Sequence, residues 1–160
     1  MVEILEENGQ LIIRIGGQEY TRYQFGPPRW KPYLYPLRAS NGLSLLADAP
    51  TDHRHHHGFW VGHGRVDEND FWLERHNSGK IVHVQFAEIV NGEQSGHFTA
   101  QNDWVAPDGE ALQPSQGQRP DHRPMPGRIE RFHAAASGRR LTKTETASSR
   151  VGSATCRDRF

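Results

Sequence analysis

Paired turn residues divide the first part of the chain into short extended segments. Asn8-Gly9 separates residues 2–6 from residues 11–15, and Gly16-Gly17 separates these from residues 19–25. Both dipeptides tolerate the positive φ angles that two-residue hairpin turns require, and β-branched and aromatic side chains flank them. The pattern predicts an antiparallel meander of three strands, which limits the chain to a fold containing a β-sheet.

Further along, residues 81–90 and 96–105 flank Asn91-Gly92 and predict a second hairpin. Residues 33–38 alternate as a strand does, but Pro36 lacks an amide donor, so we expect an edge or irregular strand there. No helical period longer than two turns interrupts this series. The chain is therefore predicted to be all-β, an antiparallel β-sandwich spanning about residues 2–112.

Residues 52–64 hold five of the ten histidines. Imidazole titrates near neutral pH and is the commonest protein ligand of transition metals, so the stretch is the leading candidate for a site. Glycines within it disfavour a helix. If the backbone is extended until about Gly58, alternate side chains share one face. That face would carry His53, His55, His57 and His63, with Arg54 and His56 opposite.

Three segments carry a resemblance. Residues 32–38, which follow Lys31, read P-Y-x-Y-P-x-R, residues 52–60 read D-H-x-H-H-x-G-x-W, and residues 70–72 read D-F-W. In order and spacing they resemble a bacterial family of unknown activity whose members are often labelled methane oxygenase PmoA. The resemblance covers roughly residues 1–112 and implies a sandwich similar to the galactose-mutarotase class of sugar-handling proteins. The family has arginine at the position of His57, so no family role passes to that residue.

The resemblance places the site on these motifs. It implies catalytic roles for Asp52, His53 and His56. It implies substrate contacts for Arg38, Tyr35, Trp60, Trp72 and Asp70. A single divalent metal ion would be held by His53, His55 and His63, and the alternative to a metal is acid–base work by imidazoles whose tautomers Asp52, Asp70 or Glu74 would orient.

Three functions remain open at this point. The chain is expected to act on a sugar or sugar-like polyol through the histidine-rich site, with a small carbohydrate-like molecule as its partner. A non-catalytic carbohydrate-binding module would use the same aromatic residues and Arg38, and an oxygenase would follow the family label. Alternatively, the histidines only order a loop through hydrogen bonds.

Composition narrows the classes of partner and location. Mean hydropathy is −0.80, and a membrane span needs about 20 consecutive apolar residues, so the membrane enzyme that the label implies is not expected. The formal net charge is zero, which suggests neither nucleic acid nor an anionic membrane as partner. Cys156 is the single cysteine. No charged and apolar leader follows Met1, so a cytoplasmic protein is expected.

The last third of the sequence differs from the rest. Residues 1–112 contain 15 acidic and 9 basic side chains, whereas residues 113–160 contain 4 and 10, so the formal charge changes from −6 to +6. Few large apolar residues occur after position 113, and such a segment buries too little surface to offset its conformational entropy. We therefore expect an incomplete sandwich over residues 1–112 and a disordered tail over residues 113–160. The abrupt change is also typical of a frameshift or a truncated fragment.

Overall fold

The structure, a computed structural model, describes residues 1–66, 68–109, 128–136 and 140–146. Within these ranges the chain forms strands and turns and no helix. The strands are β1 (Val2–Glu7), β2 (Gln10–Ile15), β3 (Gln18–Gln24), β4 (Tyr33–Leu37), β5 (Phe59–Trp60), β6 (Lys80–Val90), β7 (Ser95–Val105), β8 (Arg128–Ala135) and β9 (Arg140–Thr146). The predicted all-β class is confirmed.

The strands form two antiparallel sheets, each in sequence order. Sheet I contains β1 to β5, and sheet II contains β6 to β9. Each predicted hairpin is present: Asn8-Gly9 joins β1 to β2, Gly16-Gly17 joins β2 to β3, and β6 pairs with β7. Positive φ angles occur at Asn8, Gly9, Gly16 and Gly17, as two-residue hairpin turns require, whereas β6 and β7 are joined by the longer loop of residues 91–94, where no positive φ occurs. Local turn chemistry therefore accounts for most of the strand order.

The two sheets pack their apolar faces together, as in a β-sandwich. Sheet I contributes alternate residues such as Val2, Leu11 and Tyr23, while sheet II contributes Phe98 and Phe132, and all five are at least 95% buried. Bonds between the first strand and the β6–β7 turn join the sheets at one end. Burial of this size is the main favourable term in folding a domain of this length.

A smaller apolar cluster lies beside the main core. It consists of Phe71, Ile81 and Trp104, with Val61 and Val66 packed against it. The Phe71 ring lies 4.8 Å from that of Trp104, which links the 61–79 loop to β7. This cluster therefore holds the loop that follows the histidine stretch against sheet II.

Two sequence-based expectations need correction. Strands β8 and β9 lie within residues 113–160, and Phe132 of β8 is buried in the core, so the predicted disorder is wrong for these two stretches. The low number of large apolar residues predicted disorder here, since β8 has only two of them. Pairing with β7 is nevertheless enough to stabilise the strand. The remainder of residues 113–160 lies outside the described ranges.

Strand β4 is irregular, as Pro36 suggests, but it is not an edge. It pairs with β3 on one side and with the two-residue strand β5 on the other. The register against β3 shifts between Thr21 and Tyr23, opposite the stretch that contains Pro36. Within the described part of the chain, no helix could span a membrane.

Candidate functional site

The histidine stretch forms consecutive turns instead of an extended strand. The amide of His53 donates to the carbonyl of Pro50 at 3.0 Å, and the amide of His56 donates to the carbonyl of His53 at 2.9 Å. The predicted face shared by His53, His55, His57 and His63 is therefore wrong. Because the turn brings residues three apart together, the ring of His53 stacks on that of His56 at 4.8 Å.

Backbone bonds fix this loop against the end of sheet I. The amide of Ala49 donates to the carbonyl of His56, and the amide of Gly58 donates to the carbonyl of Ala47. Gly58 has φ +32°, and any Cβ there would collide with the carbonyl oxygen of Leu34. Glycine is thus required where the loop crosses β4, as the predicted break at this residue implies.

His57 is the most constrained histidine of the stretch. Its Nδ1 lies 2.6 Å from Asp48 Oδ1, and its Nε2 lies 3.2 Å from a carboxylate oxygen of Glu74. Its ring also stacks on Tyr33 of β4 at 4.6 Å. His57 therefore links three segments: the loop before it, β4 and the loop that follows Asp70.

Lys31 extends this arrangement into a row of alternating charges. Its Nζ lies 3.4 Å from Glu74 Oε1, and its side chain is 2% exposed. The same Nζ donates to the carbonyl of Trp72 at 2.8 Å and lies 3.9 Å from the centroid of the Trp60 ring. Lys31, Glu74, His57 and Asp48 form what we call the charge row. A buried ammonium is tolerated here because a carboxylate, a carbonyl and an aromatic face surround it.

Opposing effects act on the pKa values in the charge row. Burial alone would lower the pKa of His57, but hydrogen bonds to Glu74 and Asp48 outweigh it and raise that pKa. Burial would raise the pKa of Glu74, but His57 and Lys31 together lower it. Burial also lowers the pKa of Lys31, and Glu74 opposes that shift. The two carboxylates therefore favour the imidazolium form of His57.

A group of aromatic and imidazole rings lies over the charge row. The rings of Trp60 and Trp72 are 4.7 Å apart, and the ring of His56 lies within 6.0 Å of each. His55 lies 4.4 Å from His56 and 6.5 Å from Trp72. We call this group the histidine–tryptophan cluster, and its members are His53, His55, His56, Trp60 and Trp72.

Several members of the cluster are open to solvent. Trp72 is 41% exposed, and the side chain of His53 is 53% exposed. Burial lowers the pKa of His55, and the neighbouring His56 and Lys31 lower it further. The imidazole of His55 is therefore mainly neutral at pH 7, and a neutral imidazole has one nitrogen free to accept a proton.

The predicted catalytic group Asp52 lies at the solvent-exposed rim. Its Oδ2 is 3.0 Å from Nδ1 of His53, and this bond lowers the pKa of Asp52. The arrangement pairs a carboxylate with an imidazole, as acid–base chemistry requires, and it leaves Nε2 of His53 outside that bond. Asp52, His53 and His56 thus lie near one another, although the extended geometry predicted for this stretch placed His56 opposite His53.

Asp70, predicted to contact substrate, shapes the backbone. Its Oδ1 accepts from the amides of Trp72 and Leu73 at 2.9 and 3.3 Å, and its Oδ2 accepts from the Ser78 hydroxyl. Such an Asx turn orders the loop locally. The carboxylate therefore positions Trp72.

The predicted metal ligands His53, His55 and His63 do not lie together. The ring of His63 lies 5.8 Å from Trp104, in the neighbourhood of the smaller apolar cluster. Among the residues described, no three His, Cys, Asp or Glu side chains are grouped so as to hold a metal ion. His53 and His55 stay together, with ring centroids 6.0 Å apart, but His63 does not join them.

Arg38 and Tyr35 lie in a separate polar cleft along sheet I. The cleft has a volume of about 370 Å³, and Glu19, Arg22 and Gln24 line it as well. Arg38 Nη1 donates to the carbonyl of Gly42 at 2.9 Å. The structure thus divides the predicted site residues between two places: the histidine–tryptophan cluster and this cleft.

Sequence reasoning missed Lys31, Asp48 and His57. Lys31 directly precedes the P-Y-x-Y-P-x-R segment and lies between Trp30 and Tyr33, and a lysine among aromatic residues is an available signal for a cation on an aromatic face. The resemblance gives no role to His57, because the family has arginine at that position. Its role depends on Glu74, which is 17 residues away along the chain.

Comparison with known proteins identifies a family without a known activity. No curated protein and no solved structure matches the chain. A family model described as a family of unknown function (DUF6807) matches residues 10–114, which include β2 to β7, the charge row and the histidine–tryptophan cluster. Since this match covers more than half of the 160 residues, the protein belongs to the DUF6807 family.

Proposed function

We propose that the protein acts on a sugar or sugar-like polyol at the histidine–tryptophan cluster. The observation that carries this proposal is an exposed Trp72 ring beside Trp60, bordered by the imidazoles of His55 and His56. The apolar face of a sugar ring stacks on indole, and its hydroxyl groups bond to nearby polar groups that fix its orientation. The cluster offers both kinds of contact.

The proposed chemistry is proton transfer by imidazole. His55 is the candidate base because its lowered pKa keeps it neutral at pH 7. The Asp52–His53 pair is the candidate partner, in which the carboxylate fixes the tautomer and Nε2 exchanges a proton with the substrate. The charge row beneath supports Trp60 and Trp72 and does not itself contact substrate.

A second candidate is a non-catalytic carbohydrate-binding module. The charge row favours this candidate. Both ring nitrogens of His57 are bonded to carboxylates, so neither nitrogen is free for proton transfer. The aromatic surface alone is sufficient for binding.

Ligand binding tests the feature that both candidates share. Saturation-transfer NMR with neutral aldoses and polyols should give signals that Trp72→Ala reduces strongly. His76→Ala, an exposed histidine of the adjacent turn, is the matched control and should leave them unchanged. If no sugar gives a signal, or if both variants behave alike, the proposal is wrong.

Turnover then separates the two candidates. Each bound sugar is incubated with the protein, and product formation or anomeric exchange is followed by proton NMR. An enzyme should lose turnover in His53→Ala, in His55→Ala and in His56→Ala while its melting temperature stays nearly unchanged. Binding without any product, in the parent and in all variants, would favour the binding module.

A further inference from the structure

The cleft beside Arg38 lies on the same face of sheet I as the histidine–tryptophan cluster. Tyr35 lines the cleft, and Tyr33, two residues earlier on β4, contacts His57. Gln24, which also lines the cleft, is paired in register with Tyr33, and side chains directly opposite each other on neighbouring strands project to the same side. Tyr33 is also paired in register with Trp60 of the cluster. One face of the sheet therefore carries both features.

Two irregularities in strand pairing build the cleft. Ile13 pairs with Thr21 and Arg14 pairs with Glu19, so Tyr20 is an extra residue in β3. In a regular strand Glu19 and Arg22, three apart, would face opposite sides, but the bulge places them together. Arg22 Nη2 lies 2.6 Å from Glu19 Oε2 as a result.

The second irregularity lies in β4. Thr21 pairs with Leu37 and Tyr23 pairs with Leu34, so β4 has an additional residue between these pairs. Arg38 follows this bulge, and its Nε lies 3.7 Å from Glu19 Oε1. Bulges that re-aim side chains are common beside binding sites. Here they direct two guanidinium groups toward one carboxylate.

The charges of the cleft do not balance. Arg22 and Arg38 carry two positive charges and Glu19 carries one negative charge, so the lining has a net charge of one positive unit. The hydrogen bond from Arg22 lowers the pKa of Glu19, so its carboxylate stays ionised at neutral pH. The arginine side chains are 39% exposed and can reach a ligand from solvent.

Two polar atoms in the cleft are also unsatisfied. Glu19 Oε1 and Arg22 Nε are buried atoms that have no hydrogen-bond partner within the described residues. One is an acceptor and the other is a donor. Both atoms are enclosed by the protein, so a ligand meets the exposed parts of these side chains, where a hydroxyl can donate to the carboxylate of Glu19 and an anionic oxygen can accept from the guanidinium groups.

We propose that this cleft binds the carboxylate and the neighbouring hydroxyl of a sugar acid. The carboxylate accepts hydrogen bonds from Arg22 and Arg38, whose planar forks match its geometry. The adjacent hydroxyl donates to Glu19. One net positive charge complements one carboxylate, whereas a phosphate dianion would leave negative charge uncompensated.

The assignment deepens the proposed function and rests on it for the sugar portion of the ligand. Two residues along β4 span about 6.5 Å, so a ligand of one or two sugar units reaches from the cleft toward Trp60. The cleft and the cluster then act as neighbouring subsites. This arrangement accounts for the separation of Arg38 and Tyr35 from the histidines.

Titrations of the full chain with glucuronate, glucose and glucose 6-phosphate test this subsite. Calorimetry at low salt should show glucuronate binding at least about tenfold more tightly than glucose, because hydrogen bonds to a charged partner are strong. Added salt should weaken glucuronate binding and leave glucose binding unchanged. Glucose 6-phosphate binding more tightly than glucuronate would overturn the carboxylate assignment.

Two variants of opposite expected effect keep the test independent of folding. Arg38→Gln should remove the preference for glucuronate, while Arg75→Gln, an exposed arginine in a turn, is the matched control. Glu19→Gln keeps an oxygen that accepts from the ligand hydroxyl but removes the carboxylate that competes for the arginines, so it should tighten glucuronate binding by about two- to fivefold. A damaged fold would not produce that gain.

The binding results separate a failure of the sugar-acid subsite from a failure of the proposed function. If glucose binding depends on Trp72 but glucuronate binds no more tightly, only the sugar-acid subsite is wrong. If Arg38→Gln and Arg75→Gln behave alike, or if Glu19→Gln weakens binding, the subsite is likewise refuted. If neither sugar binds, the proposed function fails together with it.

Discussion

The imidazole of His57 is bonded to Asp48, with 2.6 Å between Nδ1 and Oδ1. The opposite nitrogen meets Glu74, so one side chain joins two loops that are separate in sequence. The histidine–tryptophan cluster lies over this junction. Its shape therefore depends on a residue that does not belong to the cluster.

Replacing His57 with Gln should destabilise the fold by about 1–3 kcal/mol, because it leaves two partly buried carboxylates without a cation between them. Denaturant unfolding followed by circular dichroism measures this. His76→Gln, at an exposed position, should change the free energy of unfolding by less than about 0.5 kcal/mol. Equal effects of the two substitutions would show that the charge row does not stabilise the loops.

The stabilisation by His57 should depend on pH. Its folded pKa lies above its ordinary value of 6.5, so its contribution is complete below that value and is lost as pH rises through the folded pKa. The difference in unfolding free energy between the parent and His57→Gln should be largest at about pH 5–6.5 and should decrease at higher pH. A difference that grows with pH would contradict the raised pKa.

Gly58→Ala should destabilise the protein by about 2 kcal/mol or more, because the new Cβ meets the carbonyl of Leu34 and φ is positive. Gly64→Ala is the matched control, since a Cβ at Gly64 has open space around it, and it should cost less than about 1 kcal/mol. Thermal unfolding compares the two. If Gly58→Ala is as stable as Gly64→Ala, the loop does not cross β4 as described.

Phe132→Ala should cost about 3–5 kcal/mol, because the ring stacks on Phe98 at 4.8 Å and is 4% exposed. Val84→Ala on β6 is the control, since Val84 is 49% exposed, and its effect should be below about 1 kcal/mol. Equilibrium unfolding measures both. A negligible effect of Phe132→Ala would mean that β8 does not complete the core and that the sequence-based expectation of disorder holds there as well.

Local sequence was sufficient where the structure depends on turn chemistry. Asn8-Gly9 and Gly16-Gly17 predicted their hairpins correctly, because the φ preferences of these residues act within a few positions. The β6–β7 hairpin was also predicted correctly, but its loop of residues 91–94 contains no positive φ. Asp52, His53 and His56 are close along the chain, but the turn that stacks His56 on His53 was not predicted, because the stretch was expected to be extended. Likewise, periodicity did not reveal β8, whose stability comes from pairing with β7.

Tertiary structure decided the rest of the candidate site. The sequence by itself determined the all-β class, the strand order of the hairpins and the stretch that carries the imidazoles. It did not determine that His57 would meet Glu74, that His63 would lie beside Trp104, or that two bulges would direct Arg22 and Arg38 toward Glu19. These contacts join residues from different strands and loops, and their energies depend on burial and charge that exist only once the sheets have packed.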